Sequence, residues 1–320
     1  MPLDEAIYVS SVDKIFGCRG KWVYKFNATT GRKEAEARIA NDIIGITSLC
    51  EHNGTIYVCG WESLRAYNQN LGEYPDNRDF YTLNPTTMAV ANTGIFKSYR
   101  ASSYTGEYIF GPSQVISDGT NLWGIIGAGT NSSSFFRVDP NIPASLILRN
   151  TGGFSAGKGE CGMRGGRIIY SSQNSMIAFV QPWSGGYDVS TYDLSAVSVG
   201  QFYTTPFTAF TGICYSPAND SYYMVKNTLE VVRLTGSALA APASFFILDA
   251  AAVPWRLRYR ASNGLIYIPT WSNDTVEILD PATDTITAIK TGFSDPIDVV
   301  FTPTKAFAVQ NSSVPLKEIT

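Results

Sequence analysis

The chain predicts an all-β fold, a β-propeller of seven four-stranded units with six as the alternative count. Three observations predict it. A hairpin pattern recurs at Ile46–Val58, Val115–Ile125, Ile213–Val225, Leu257–Ile268 and Val299–Val309: a short apolar strand, a polar turn, then a strand with paired apolar or aromatic residues. A turn rich in Asn, Asp, Pro and Gly recurs after several of these hairpins, as TLNPTT, RVDPNIP, RLTGSA and DPAT, and near the N-terminus as KFNATTG. Only 16% of residues are charged, against roughly 25% in an average domain, because solvent-facing strand positions use Ser, Thr, Asn and Tyr. Repetition at this length means that each unit buries its face against the next.

Taken in chain order, the second strand of each unit falls near Ile7, Ile56, Leu122, Ile177, Tyr222, Leu265 and Ala306, at spacings of 49, 66, 55, 45, 43 and 41 residues. The clearest full unit spans Leu257–Lys290. Leu257–Ala261 is its inner strand, and Asn263-Gly264 makes a tight turn because both residues tolerate positive φ. Leu265–Pro269, Thr275–Leu279 and Thr285–Lys290 follow as second, third and outer strands, with Asp280–Thr283 turning the chain between the last two. The first unit shows no inner strand and the last no outer one. Ring closure is therefore expected by strand pairing, with Ala6–Ser11 completing the unit begun by Ile297–Ile319, which removes two open sheet edges. Residues 1–320 then form a single domain. The alanine-rich pieces Ala240–Phe246 and Leu248–Trp255 are too short and too broken by proline to make helices.

Ile266–Pro303 (IYIPTWSNDTVEILDPATDTITAIKTGFSDPIDVVFTP) resembles the repeat of the YVTN and NHL-like propeller families. The resemblance implies the architecture. Such propellers serve as lactonases, lyases, cofactor enzymes, binders and scaffolds, so it implies no single activity.

Charge and composition exclude some classes. The net charge is −3, which gives no basic field to hold nucleic acid. No apolar run approaches the roughly 20 residues that cross a bilayer, so membrane insertion is not expected. The start MPLDEAIYVSS has no basic and apolar leader, which points to cytoplasmic synthesis. Five cysteines without C-x-x-C spacing and a single histidine argue against a zinc site. Cys50, Cys59 and Cys214 lie in apolar strand segments and read as buried, reduced thiols.

No catalytic, metal or cofactor site is expected. His52 stands in a hairpin turn and reads as solvated. Family lyases and copper enzymes use histidines that this chain does not have. Gly152–Gly159 (GGFSAGKG) lacks the hydroxyl after its lysine and a following helix, so it is no phosphate loop. An alternative reading is a metal-dependent lactonase or hydrolase with hard oxygen ligands, for which Asn41, Asp42, Glu160, Asp249 and Asp295 are the candidates. Arg256, Arg258 and Arg260 alternate along an inner strand, where they line the channel or pair across units.

The strongest constellation is aromatic. Trp61, Trp183 and Trp271 fall at one offset at the end of the second strand in three units. The long loop Gly94–Pro112, with Tyr99, Arg100, Tyr104 and Tyr108, leaves from the same face. Flat apolar rings with polar tips suit a protein partner or a sugar. The expected function is a non-enzymatic interaction or structural module binding a protein partner or assembly through this face, and a carbohydrate-binding lectin is the second alternative. The composition, rich in Ser, Thr, Asn, Gly and Tyr and poor in lysine, resembles that of phage virion proteins of tail, fibre or capsid, which places the chain in a virion.

Overall fold

The computed structural model describes residues 3–40, 43–62, 81–93, 95, 109–128, 134–150, 168–171, 173–183, 186–193, 198–205, 210–226, 230–236, 240–247 and 256–320. They form seven antiparallel sheets, six of four strands and one of three. Sheet one holds β1 (Glu5–Val9), β2 (Lys14–Arg19), β3 (Trp22–Asn27) and β4 (Lys33–Arg38). Sheet two holds β5 (Ile43–His52), β6 (Thr55–Glu62), β7 (Tyr81–Leu83) and β8 (Val90–Asn92). In sheet three are β9 (Ile109–Ser117), β10 (Leu122–Ala128), β11 (Ser134–Asp139) and β12 (Ile142–Asn150). Sheet four comprises β13 (Ile168–Ser171), β14 (Met176–Trp183), β15 (Gly186–Asp193) and β16 (Ser198–Thr205). Sheet five comprises β17 (Phe210–Ser216), β18 (Ser221–Lys226), β19 (Glu230–Thr235) and β20 (Ala240–Ile247). Sheet six is β21 (Arg258–Arg260), β22 (Leu265–Thr270), β23 (Thr275–Asp280) and β24 (Thr285–Lys290). Sheet seven is β25 (Pro296–Phe301), β26 (Ala306–Gln310) and β27 (Leu316–Glu318). In every sheet the strands pair in chain order.

Period-two alternation explains how these sheets stack. On β6, Ile56 and Val58 enter a core with Phe16, Cys18 and Val23 of sheet one, while Tyr57 and Cys59 enter one with Val115, Leu122 and Phe136 of sheet three. On β18, Tyr222 and Met224 face Ala178 and Val189 of sheet four, and Tyr223 and Val225 face Ile266, Ile268 and Leu279 of sheet six. A second strand is thus apolar on both sides because it has a sheet on both sides. Fourth strands differ: KEAEAR and TITAIK alternate between exposed and half-buried positions. Trp123 packs sheet three on Ile168 and Ile177 of sheet four, and Tyr267 and Ile278 pack sheet six on Val299 and Ala308 of sheet seven.

The turns carry the repeat in their dihedrals. Asn27 and Asn84 each accept two backbone N–H bonds, from Thr29 and Thr30 and from Thr86 and Thr87. Gly31, Met88 and Asp284, each at the fifth residue of its turn, all take the left-handed conformation. Asn and Asp set such turns by copying a backbone acceptor.

The expected strand pairing of the termini is not what the structure shows. β1 pairs with β2, in register Glu5↔Cys18 to Val9↔Lys14, and is the first strand of its own sheet. Ile7 therefore belongs to a first strand, and KIFGCR is the second strand that the sequence concealed. Gly17 concealed it: a Cβ there would stand 2.6 Å from Leu3 Cδ1, so the strand has a gap in its apolar pattern. Sheets seven and one meet by their faces. Phe307, Val309 and Leu316 share a core with Leu3, Ile15 and Phe26, and Leu3 N–H donates to Gln310 C=O at 3.2 Å. The first strands of successive sheets touch in order, and β25 touches β1. The arrangement is propeller-like. Among the described residues no helix is long and apolar enough to cross a membrane.

Candidate functional site

Chemically distinctive side chains come together at the axis, where first strands meet; the expected aromatic face concerns the rim, where second strands end. At the axis, buried Glu5 at the start of β1, Arg256 before β21 and Asp298 on β25 form one cluster with the half-buried Arg258 of β21. Arg258 binds Asp298 in a two-pronged fork, Nε to Oδ1 and Nη2 to Oδ2, both at 2.8 Å. Arg256 Nη1 bonds Glu5 Oε1 and stands 3.6 Å from Asp298, and Arg258 stands 3.7 Å from Glu5. Backbone N–H groups of Leu49 and Val299 donate to the two carboxylates at 3.0 and 2.9 Å. Burial pushes the Asp298 carboxyl up, but the guanidiniums of Arg258 and Arg256 outweigh it and hold it below its ordinary value. Burial disfavours the charged form of Arg258, and Asp298 and Glu5 overcome that and raise its pKa. Two cations and two anions cancel, so the cluster is a neutral clamp joining sheets one, two, six and seven. Arg256 and Arg258 realise both readings of the arginine run, since they pair across units and also line the cavity at the axis.

Beside the clamp lies a cavity of about 270 Å³, lined by first-strand residues that include Tyr8, Ser48, Glu51, Gln114 and Ser117. His52 departs from expectation. It is buried, 3% exposed, with Nδ1 2.7 Å from Ser117 Oγ and Nε2 3.0 Å from Asn53 Nδ2. Burial lowers its pKa. Ser117 Oγ also accepts Gly119 N–H at 2.9 Å, and the ring nitrogen away from Ser117 meets the Asn53 amide and not a carboxylate. An Nδ1–H donating to Ser117 and an Nε2 accepting from Asn53 satisfy every one of these contacts with neutral imidazole. The pair therefore fastens two hairpin turns together. Cys18, Cys50, Cys59 and Cys214 are buried free thiols, and burial raises the pKa of each.

At the rim, Trp61 pairs with Gly45 near the end of β6 and Trp183 pairs with Gly186 at the end of β14. Trp271 follows β22 directly, opens a short 3-10 turn, and is 39% exposed. The three tryptophans thus stand at the penultimate, last and first-following position of their second strands. Tyr99, Arg100, Tyr104 and Tyr108 lie outside the described residues, as do Asn41, Asp42, Glu160, Asp249 and Gly152–Gly159. Asp295 sits in the connection before β25, its N–H on Asp274 Oδ1. Among the described residues no three His, Cys, Asp or Glu side chains group together.

Sequence reasoning missed Trp22. It opens β3 immediately after the β2 turn, at the connection equivalent to that of Trp271, and is 38% exposed. Its signal was available: shifting the first unit by one strand places Trp22 in the connection that follows a second strand, as Trp271 is. Glu5 and Asp298 were also missed, since nothing in a linear reading joins residues 251 apart.

No family model and no curated protein matches the chain. A chain of Kuenenia stuttgartiensis hydrazine synthase is similar in structure, with a TM-score of 0.73 over 99% of this chain and 95% of that one, at 12% identity. At that identity the likeness is one of fold, and it agrees with a propeller architecture.

Proposed function

We propose that this chain is a non-catalytic propeller module, one domain over residues 1–320, that docks into a larger assembly through the rim where its second strands end. The seven sheets act as seven blades, and the faces of sheets seven and one complete the ring. The observation that carries the reading is the exposed indole of Trp271 on that rim, with Trp61 and Trp183 at the matching strand ends. A large aromatic left in water at a repeated position is what a partner-binding surface presents, since rings of this size gain most from being covered. Tyr99, Arg100, Tyr104 and Tyr108, in the chain between β8 and β9, are proposed as further contacts for the same partner. The axis supports the reading as well. Glu5 and Asp298 are held by arginines and are not open as metal ligands. The assembly is a virion, consistent with the composition.

The test is co-sedimentation of purified protein with particles from its native source. The wild type should enter the particle fraction, and a Trp61→Ser, Trp183→Ser, Trp271→Ser triple variant with an unchanged circular dichroism spectrum should not. Equal sedimentation of the two ends the proposal. If the triple variant unfolds, Trp271→Ser alone decides, because its side chain already stands in solvent.

A further inference from the structure

We infer that the rim has a defined docking arc, the connections of sheets six, seven and one, and that it receives an acidic protein surface; this deepens the docking function proposed above and rests on it. Three large apolar side chains stand exposed on the second-to-third strand connections of these consecutive sheets: Trp271 at 39%, Val314 at 57% and Trp22 at 38%. A chain of hydrogen bonds makes the three connections one surface. Arg19 Nη1 donates to Asn311 Oδ1 at 2.9 Å, Asn311 N–H to Asp295 C=O at 3.2 Å, and Asp295 N–H to Asp274 Oδ1 at 2.8 Å. Phe293 N–H donates to Asp274 C=O at 3.3 Å, and Gln310 Nε2 to Val314 C=O at 2.7 Å. A surface tied at every step keeps its shape when free, so little ordering is lost on binding.

Charge identifies the occupant. Arg19, Lys21, Arg38 and Lys290 lie on these connections or at the strand ends beside them, and Lys317 on β27 reaches Gly292 C=O in the connection between sheets six and seven. The carboxylates there, Asp4, Asp274 and Asp295, are fewer, so the arc is net positive in a chain whose total is −3. Aromatic anchors within a basic field match a partner that combines acidic with apolar groups. The anchors are set one sheet apart from each other, which suits a broad protein face. An acidic sugar chain is the competing occupant.

The probes are immobilised poly-glutamate, a glutamate–tyrosine copolymer, poly-lysine and heparin, with binding read by interferometry at low and high salt. The wild type should bind the copolymer more tightly than poly-glutamate, ignore poly-lysine, and weaken as salt rises. Trp22→Ser with Val314→Ser should weaken copolymer binding about tenfold or more. Arg38→Glu with Lys290→Glu, which changes no buried group, should do the same, whereas Lys14→Ser on the opposite rim should not. Heparin bound more tightly than both acidic polypeptides, or variants that bind as the wild type does, overturns the inference. If Trp61→Ser with Trp183→Ser abolishes particle sedimentation while the arc variants leave it intact, the docking function stands and the arc falls. If neither set matters, both fall.

Discussion

Asp298 shows how much one side chain can hold. It is fully buried and balances two guanidiniums, so replacing it with Asn leaves a buried positive charge without its counterion. Asp298→Asn should cost about 3–5 kcal/mol in urea denaturation, the range seen when one partner of a buried ion pair is removed. Its acid sensitivity has a fixed sign. The folded pKa lies below the ordinary 3.8, so its contribution is complete above that value and is lost as pH falls through the folded pKa. His52 acts at higher pH in the same direction. Its folded pKa lies below 6.5, the unfolded chain takes up the proton first, and stability should fall as pH drops below 6.5 toward the folded value. In thermal melts between pH 5 and 7, His52→Gln should flatten that slope. A parallel slope in the variant would show that other groups set the dependence.

Among the elements, second strands were the most legible in the sequence, and the reason is packing. A strand between two sheets is apolar on both faces in its middle, and Ile56, Leu122, Ile177, Tyr222, Leu265 and Ala306 all fall in true second strands. The exception, β2, carries a glycine where Leu3 and the adjoining strand β1 of its own sheet leave no room. β10 repeats this more sharply: a Cβ at Gly124 would stand 2.2 Å from Gln114 C=O and 2.4 Å from the Phe136 ring. Backbone cannot yield as a flexible leucine can. Gly124→Ala should therefore cost about 3 kcal/mol and Gly17→Ala about 1 kcal/mol, as overpacking generally does. Chemical denaturation of the two variants checks the order, and a Gly17 variant as damaged as the Gly124 one contradicts it. The axial clamp was half legible. The alternating arginines on β21 signalled charge at the axis, whereas their partners come from β1 and β25 and carry no local mark. Trp22 was lost where the boundary of the first unit was drawn one strand off.

At the scale of the whole molecule the question is whether seven sheets make a closed ring or an open stack, and the two differ in how they unfold. In an open stack each unit contacts only its neighbours, terminal units fray, and damage to the last unit lowers the first of several transitions. In a closed ring every sheet has two neighbours, so opening any junction exposes two apolar faces at once. The junction of sheets seven and one is the decisive one, because chain connectivity does not enforce it. Phe307 lies in that core and is 2% exposed. Phe307→Ala should cost about 3–5 kcal/mol, as large-to-small changes at buried aromatics do. In a closed ring that loss shifts one cooperative transition, followed identically by far-ultraviolet circular dichroism and by the fluorescence of tryptophans spread over sheets one, two, three, four and six. Transitions that separate between the two probes, with sheet seven melting ahead of a stable remainder, would show that the faces of the first and last sheets contribute little and that the array is open.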